Sequence, residues 1–279
     1  MAMEWASEPF QRKPWGVRLE DTIADSFYTT RDGSSGEGLL GEIPKPGAVR
    51  YEDGIRGAGQ YKNVQCHGEC WFRWGVNRSG TTFALGEIAR RTADLAVTAD
   101  SDGTTTTIND GTTTFVADEE VGNTVFILNA ASGAGAAPEG EWAVIVKNTG
   151  GTLTVQPAFS TAVLDTDTAV VHRLNHLGLL GGAIERYETF GVTIASGGVA
   201  DNTWGWFLAK GMVTAGTLAG EAFAAGEGLI GAAGGLLDSS STSAQDLMLA
   251  RAVSANTGDL VLDLVPVYFD VLSGAFTTT

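Results

Sequence analysis

One stretch, VADNTWGWFLAKGMVTAGTLAGEAFAAGEGLIGAAGGLL at residues 199–237, constrains the fold more than any other part of the chain. It is apolar enough for a membrane span and too rich in glycine for a helix. A spanning helix needs ~20 largely apolar residues free of charge. Here Lys210, Glu221 and Glu227 interrupt, and glycine stands at 211, 216, 220, 226, 228, 231, 234 and 235. Each such glycine disfavours a helix by about 1 kcal/mol relative to alanine. The stretch therefore reads as β-structure. In NTWGWFLAKGMVTA, Trp204, Trp206, Leu208 and Lys210 share one face, and Gly205, Phe207, Ala209 and Gly211 share the other. Small residues along one face suit the close approach of another backbone. The stretch is expected to be sheet and subunit contact together.

The wider composition points the same way. Of 279 residues, 38 are glycine and 18% are charged, below the usual quarter, while 9% are aromatic and can fill a core. That combination fits a loop-rich β protein and not a helical enzyme or a disordered chain. The net charge is −16, all of it carried by residues 92–279; residues 1–91 hold 12 basic and 12 acidic side chains. No basic face is visible for neutralising phosphates, so nucleic acid is not an expected partner. The start, MAMEWASEPFQRKPW, lacks the apolar core of a secretory signal, and no membrane partner is expected. Cys66 and Cys70 are too few for a disulfide framework. They read as buried or half-buried thiols, with a local disulfide as the alternative.

Along the chain, residues 1–60 show turn clusters and no sustained period, which predicts an extended, irregular arm ordered by contact with another subunit. A partly disordered leader is the alternative. YKNVQCHGECWFRWGVN from Tyr61 reads as short strands anchored by Trp71 and Trp74. GTTTTINDGTTTFVA predicts a hairpin reversing at Asn109-Asp110-Gly111. NTVFILNA is a buried strand, and EWAVIVKNTGGTLTVQPAF a hairpin turning at Asn148–Gly151. Residues 161–190 hold the best helix candidates, interrupted by Gly181-Gly182. DLMLARAV and DLVLDLVPVYFDVL look like a closing pair of strands, with Pro266 at an edge or bulge. The expected fold is mainly β: a sandwich- or barrel-like body over 61–279 with little helix. Within it, two β subdomains over 61–160 and 190–279 are joined by 161–189.

No constellation for catalysis stands out. His172 and His176 are four apart, but Arg173 occupies the position where a zinc protease carries its glutamate. No Gly-x-Ser-x-Gly elbow and no phosphate loop is present. Gly226, Gly228 and Gly231 match a dinucleotide spacing, but Glu227 sits where phosphate would approach. DSDGT and DTDT lack the closing bidentate glutamate of a calcium loop. Trp204 and Trp206 could also stack on sugars, and Glu185 with Glu188 is the nearest approach to a hydrolase carboxylate pair. No cofactor and no metal is expected.

The succession of an N-terminal arm, YKNVQCHGECWFRWGVN, a Thr-rich hairpin, EWAVIVKNTGGTLTVQPAF, and then WGWFLAKGMVTA followed by AAGEGLI resembles the head decoration or cement proteins of tailed bacteriophages. The resemblance extends over residues 45–272 as a pattern. It implies a β-rich, non-enzymatic virion protein, made in the host cytoplasm and carried on the outer surface of the capsid. Its partners would be the phage major capsid protein and further copies of itself, as a homo-oligomer and most simply a trimer. Interface candidates are Trp5, Trp15, Tyr51 and Arg56 on the arm and Trp204 and Trp206 in the body. Other virion roles (major coat, head spike or tail protein) and a carbohydrate-binding module are the alternatives.

Overall fold

A computed structural model of the chain describes residues 19, 22–24, 48–56, 66–113, 115–173, 175–181, 188–239, 248–257 and 263–271. The fold is mainly β, and the described residues contain no helix. Four strands come first: β1 (Ile23–Ala24), β2 (Val49–Arg56), β3 (Cys66–Asn77) and β4 (Ile88–Arg91). Seven follow: β5 (Leu95–Thr98), β6 (Ser101–Thr104), β7 (Thr107–Asn109), β8 (Thr124–Asn129), β9 (Trp142–Asn148), β10 (Thr152–Gln156) and β11 (Thr168–His172). The last seven are β12 (His176–Leu179), β13 (Thr189–Thr193), β14 (Thr203–Thr217), β15 (Gly228–Ala232), β16 (Leu236–Ser239), β17 (Met248–Ala252) and β18 (Asp263–Asp270). They form two compact units. One is Met1–Arg91 with His176–Thr279, and the other is Thr92–Asn175.

The Thr92–Asn175 unit is a closed barrel. Its strand order is β5-β11-β8-β9-β10-β7-β6, so β5 and β6 lie at opposite ends of the sheet. Only Ala99 and Asp100 separate them in sequence. Laid flat, six interstrand spacings of ~4.8 Å would put those ends about 29 Å apart, whereas the three Cα steps from Thr98 to Ser101 reach ~11 Å at most. The sheet has to roll until its edges meet. The hydrogen bonds show the seam: Ala99 N–H donates to Asp167 O at 2.9 Å beside β11, and Asp100 N–H to Asn109 O at 3.1 Å beside β7. Inside lie Val97, Ile108, Val125, Ile127, Ile145 and Leu153, among others. Outward positions alternate with them, as a barrel wall requires.

The other unit contains two rings that share one strand. The first runs β3-β14-β13-β4-β12 and back to β3. The second runs β14-β18-β17-β15-β16 and back to β14. They are the same structure twice, with β3, β4, β12, β13 and β14 of the first corresponding to β14, β15, β16, β17 and β18 of the second. In each, the first and third strands pair parallel and every other pairing is antiparallel. The correspondence holds residue by residue. Leu177↔Arg91 and Gly178↔Arg90 match Leu237↔Gly231 and Asp238↔Ile230. Even the bulge is repeated, at Phe190 in one ring and Leu249 in the other.

Each ring's turn into its second strand carries the same local sequence, Phe83-Ala84-Leu85-Gly86-Glu87 and Phe223-Ala224-Ala225-Gly226-Glu227. Gly86 and Gly226 adopt φ of 82° and 84°, which only glycine takes without strain. The glutamate carboxylate accepts a hydrogen bond from the alanine N–H, at 2.7 Å in the first turn and 2.8 Å in the second. Phe83, Ala89, Leu177, Phe190 and Phe207 fill the first ring; their counterparts Phe223, Leu229, Leu237, Leu249 and Val267 are buried in the second. Where the second repeat runs from Gly231 to Leu236 through residues 232–235, the first carries the whole Thr92–Asn175 barrel between Arg91 and His176.

β14 explains the composition of the opening stretch. Fifteen residues span ~50 Å, enough to serve both rings, and both faces of its first half are buried. A β-carbon on Gly211 would lie 2.8 Å from Cys70 Sγ and from Glu69 O, so the small face does admit close approach, by strand β3 of the same chain.

Four expectations are corrected. Thr168–His172 and His176–Leu179 are strands and not helix; in the first, half-buried and buried positions alternate through Thr-Ala-Val-Val-His and its β-branched residues suit a pleated wall. The Thr-rich hairpin reverses at Thr105-Thr106, between β6 and β7. Asp110 instead turns the chain out of the wall, its carboxylate accepting from Thr112 N–H at 3.1 Å and Thr113 N–H at 2.9 Å. The segment from Cys66 is a single 12-residue strand. The division of the body falls at Arg91/Thr92 and Asn175/His176, because β11 is needed in the barrel wall and β12 pairs with β3 and β4. Of the expected arm over 1–60, only residues 19, 22–24 and 48–56 are described. β1 pairs with β14, β2 pairs with β3, and Leu19 is buried in the core.

Candidate interaction surfaces

The expected interface residues fall into three groups. Trp5 and Trp15 lie outside the described residues, as does the side chain of Arg56, whose backbone ends β2 opposite His67. Trp204 and Trp206 are core residues, not contact anchors and not platforms for sugar. Trp206 is 1% exposed and packs edge-on against Trp74 at 5.1 Å between ring centroids, with Trp204 stacked on Trp74 at 6.3 Å. They share a face with their cross-strand neighbours Trp74 and Val76 on β3, in the core cluster that also holds Phe72 and Leu19. Arg50 sits 5.8 Å over the Trp206 ring and is itself held by Glu52 at 2.5 Å. Tyr51 is the one described side chain of the set at the surface, 45% exposed.

Tyr51 belongs to an aromatic pair. It stands directly across from Trp71 on β3, with ring centroids 4.9 Å apart. Cys70, Phe72 and Trp74 point into the core, so Trp71 and Tyr51 point out. Val49 on β2 and Met212 on β14 are exposed on the side away from the same core. Trp71, which the sequence reading placed as a strand anchor, is an exposed aromatic side chain here. The alternation in Glu-Cys-Trp-Phe-Arg-Trp carried the signal: if Phe72 and Trp74 are inside, Trp71 is outside.

The inserted barrel carries a second surface. Ala96, Val170, Phe126 and Trp142 are successive cross-strand partners on β5, β11, β8 and β9, forming one row across four strands. All four alternate with core residues and face outward. Trp142 is 60% exposed. Val144 lies beside it on β9, and bulges at Leu128 and Val146 expose two further aliphatic side chains. Sequence reading missed this site, although Trp-Ala-Val-Ile-Val announces it: with Ala143 and Ile145 inside, Trp142 and Val144 face solvent.

The polar groups nearby are structural. Cys66 and Cys70 are free and buried, and Cys70 Sγ–H donates to His67 O at 3.3 Å. The Cys66 thiol is pushed far up by its hydrogen bond with Cys70, by burial and by its electrostatic interaction with Cys70 and Glu52, which suppresses its thiolate. His172 pairs with Asp94 at 2.7 Å at the end of β11, while His176 is buried in β12 of the other unit, so the two share no face. Among the described residues no three His, Cys, Asp or Glu side chains are placed to hold a metal, and no helix is long and apolar enough to cross a membrane. Glu227 closes a turn instead of facing a phosphate. Comparison with family models, curated proteins and solved structures finds no match to the chain.

Proposed function

We propose that the protein is a non-enzymatic structural component of a tailed-phage virion that decorates the capsid and stabilises it by bridging coat subunits. Its partners are the major capsid protein and further copies of itself, on the outer surface of the shell. The observation that carries this reading is the presence of an outward apolar surface on each of two separately built β units. A bridging protein needs at least two contact surfaces on a scaffold that does not yield, and strands closed into rings and a barrel supply that stiffness. A useful contact buries at least ~1,000 Å², and exposed aromatic side chains are the residues that anchor such contacts.

The test is made on particles of the phage that encodes the chain. Purified virions should contain the protein in fixed stoichiometry with the coat, and particles lacking it should release DNA at a lower temperature. Virions that are free of the protein, or equally heat-stable without it, would remove the capsid assignment.

A further inference from the structure

The inserted barrel is a module added to one repeat. The second repeat has only residues 232–235 between the positions that match Arg91 and His176, so the fold does not require anything larger there. Its charge also sets it apart. Residues 92–175 contain 11 Asp or Glu against 2 Lys or Arg, a net −9, whereas the remaining 195 residues carry −7. Of its two cations, Arg173 is committed to Glu120, which it holds through both Nε and Nη2.

An acidic barrel with an apolar stripe selects its occupant. Two copies meeting through this face would bring together two units of −9 each, and the like charges nearest the contact repel within a Debye length of ~8 Å, so self-association is opposed. A partner whose apolar side chains are framed by lysine or arginine gains from both burial and charge. We propose that the Ala96–Val170–Phe126–Trp142 face is the coat-binding surface, and that it takes an apolar knob ringed by cationic side chains on the coat subunit. The inference rests on the capsid reading above and names the surface and the partner chemistry for it. Trp142 is the principal anchor, since it is the largest side chain of the row and is 60% exposed.

Shells stripped of the protein are the probe, rebound by the full chain as wild type, Trp142→Ser and Val116→Ser. Val116 is also an exposed apolar residue of the same unit but lies outside the row. Circular dichroism and melting of the free variants should match wild type, because neither side chain is in the core. Trp142→Ser should weaken rebinding by about 30-fold or more, Val116→Ser should leave it unchanged, and added salt should weaken the wild type. Equal rebinding by Trp142→Ser overturns the inference while leaving the capsid reading intact. Salt-independent rebinding overturns the cationic partner. An oligomer in solution that Trp142→Ser dissociates makes the face a self-contact and also overturns it. Failure of the wild type to rebind any shell removes the capsid reading, and the inference with it.

Discussion

Replacing residues 92–175 with Ala-Ala-Gly-Gly, the sequence at 232–235, should leave a folded double-ring unit. Arg91 and Leu177 are direct cross-strand partners, so the insertion leaves and re-enters the ring at points ~5 Å apart, and a four-residue turn spans that gap in the second repeat. The magnitude follows from loop closure. While the barrel is folded, its adjacent ends make it a short loop for the ring. Once it unfolds, the ring must close 84 residues in place of four, which costs about 2.7 kcal/mol from (3/2)RT times the logarithm of that ratio. Wild type should therefore lose the barrel and the rings in coupled transitions under urea, whereas the excised chain should show one transition, its ring stability raised by roughly that amount over rings carrying an unfolded barrel. Far-ultraviolet circular dichroism follows both units, and Trp fluorescence of the excised chain, which lacks Trp142, follows the ring unit. An excised chain that does not fold would refute the argument, since it retains every core residue of both repeats.

Three further outcomes follow from the core. Trp206→Ala should cost about 3–5 kcal/mol in urea melts of the ring unit, with no change in the mass of the protein by light scattering if it still folds; a change in oligomer size at unaltered stability would return Trp206 to an interface. Gly211→Ala should cost about 1–3 kcal/mol, because φ is 137° and the new β-carbon would meet Cys70 Sγ and Glu69 O at 2.8 Å; an unchanged melting temperature would mean that the approach of β3 and β14 is looser than described. Burial acts to raise the Asp110 carboxyl, but hydrogen bonds from the Thr112 and Thr113 hydroxyls and from the Thr113 and Thr98 N–H groups outweigh it and leave the group below the ordinary carboxylate value. Its contribution to barrel stability is then complete above the unfolded value of ~3.9 and is lost as pH falls through the folded one; Asp110→Asn should be less stable at neutral pH and should flatten that acid-side loss, and a parallel pH profile would refute the role.

The sequence made the β character plain because glycine and charge excluded a long helix in residues 199–237, and local pairings such as β9 with β10 followed from Asn148–Gly151. It did not disclose how the strands close. Ring closure depends on β14 meeting β3 more than 100 residues earlier, and alternation shows which face is buried without naming the neighbour. The repeat was visible only as Phe-Ala-x-Gly-Glu at 83–87 and 223–227, because the other positions keep volume and pairing, not identity: Ala89 answers to Leu229 and Phe207 to Val267. Trp204 and Trp206 were drawn to the surface by the glycine on the opposite face of their strand. In fact that face fills one ring while theirs fills the core beside it. Trp142 went unread because a tryptophan beside a strong strand is usually counted as core.

Sharing β14 has a consequence for how the two repeats can fail. In a solenoid each repeat meets its neighbour through an interface, and one can unfold while the next persists. Here the last strand of the first ring is the first strand of the second, so neither ring is complete without residues that the other also uses. Removing β14 opens both. The ring unit should therefore unfold as one cooperative body, and amides of β4 and β15, which lie in different rings, should exchange with the same protection under conditions that favour global opening. Separate protection for the two strands would mean that β14 holds one ring while the other frays, and the shared strand would then be a hinge between repeats instead of their common wall.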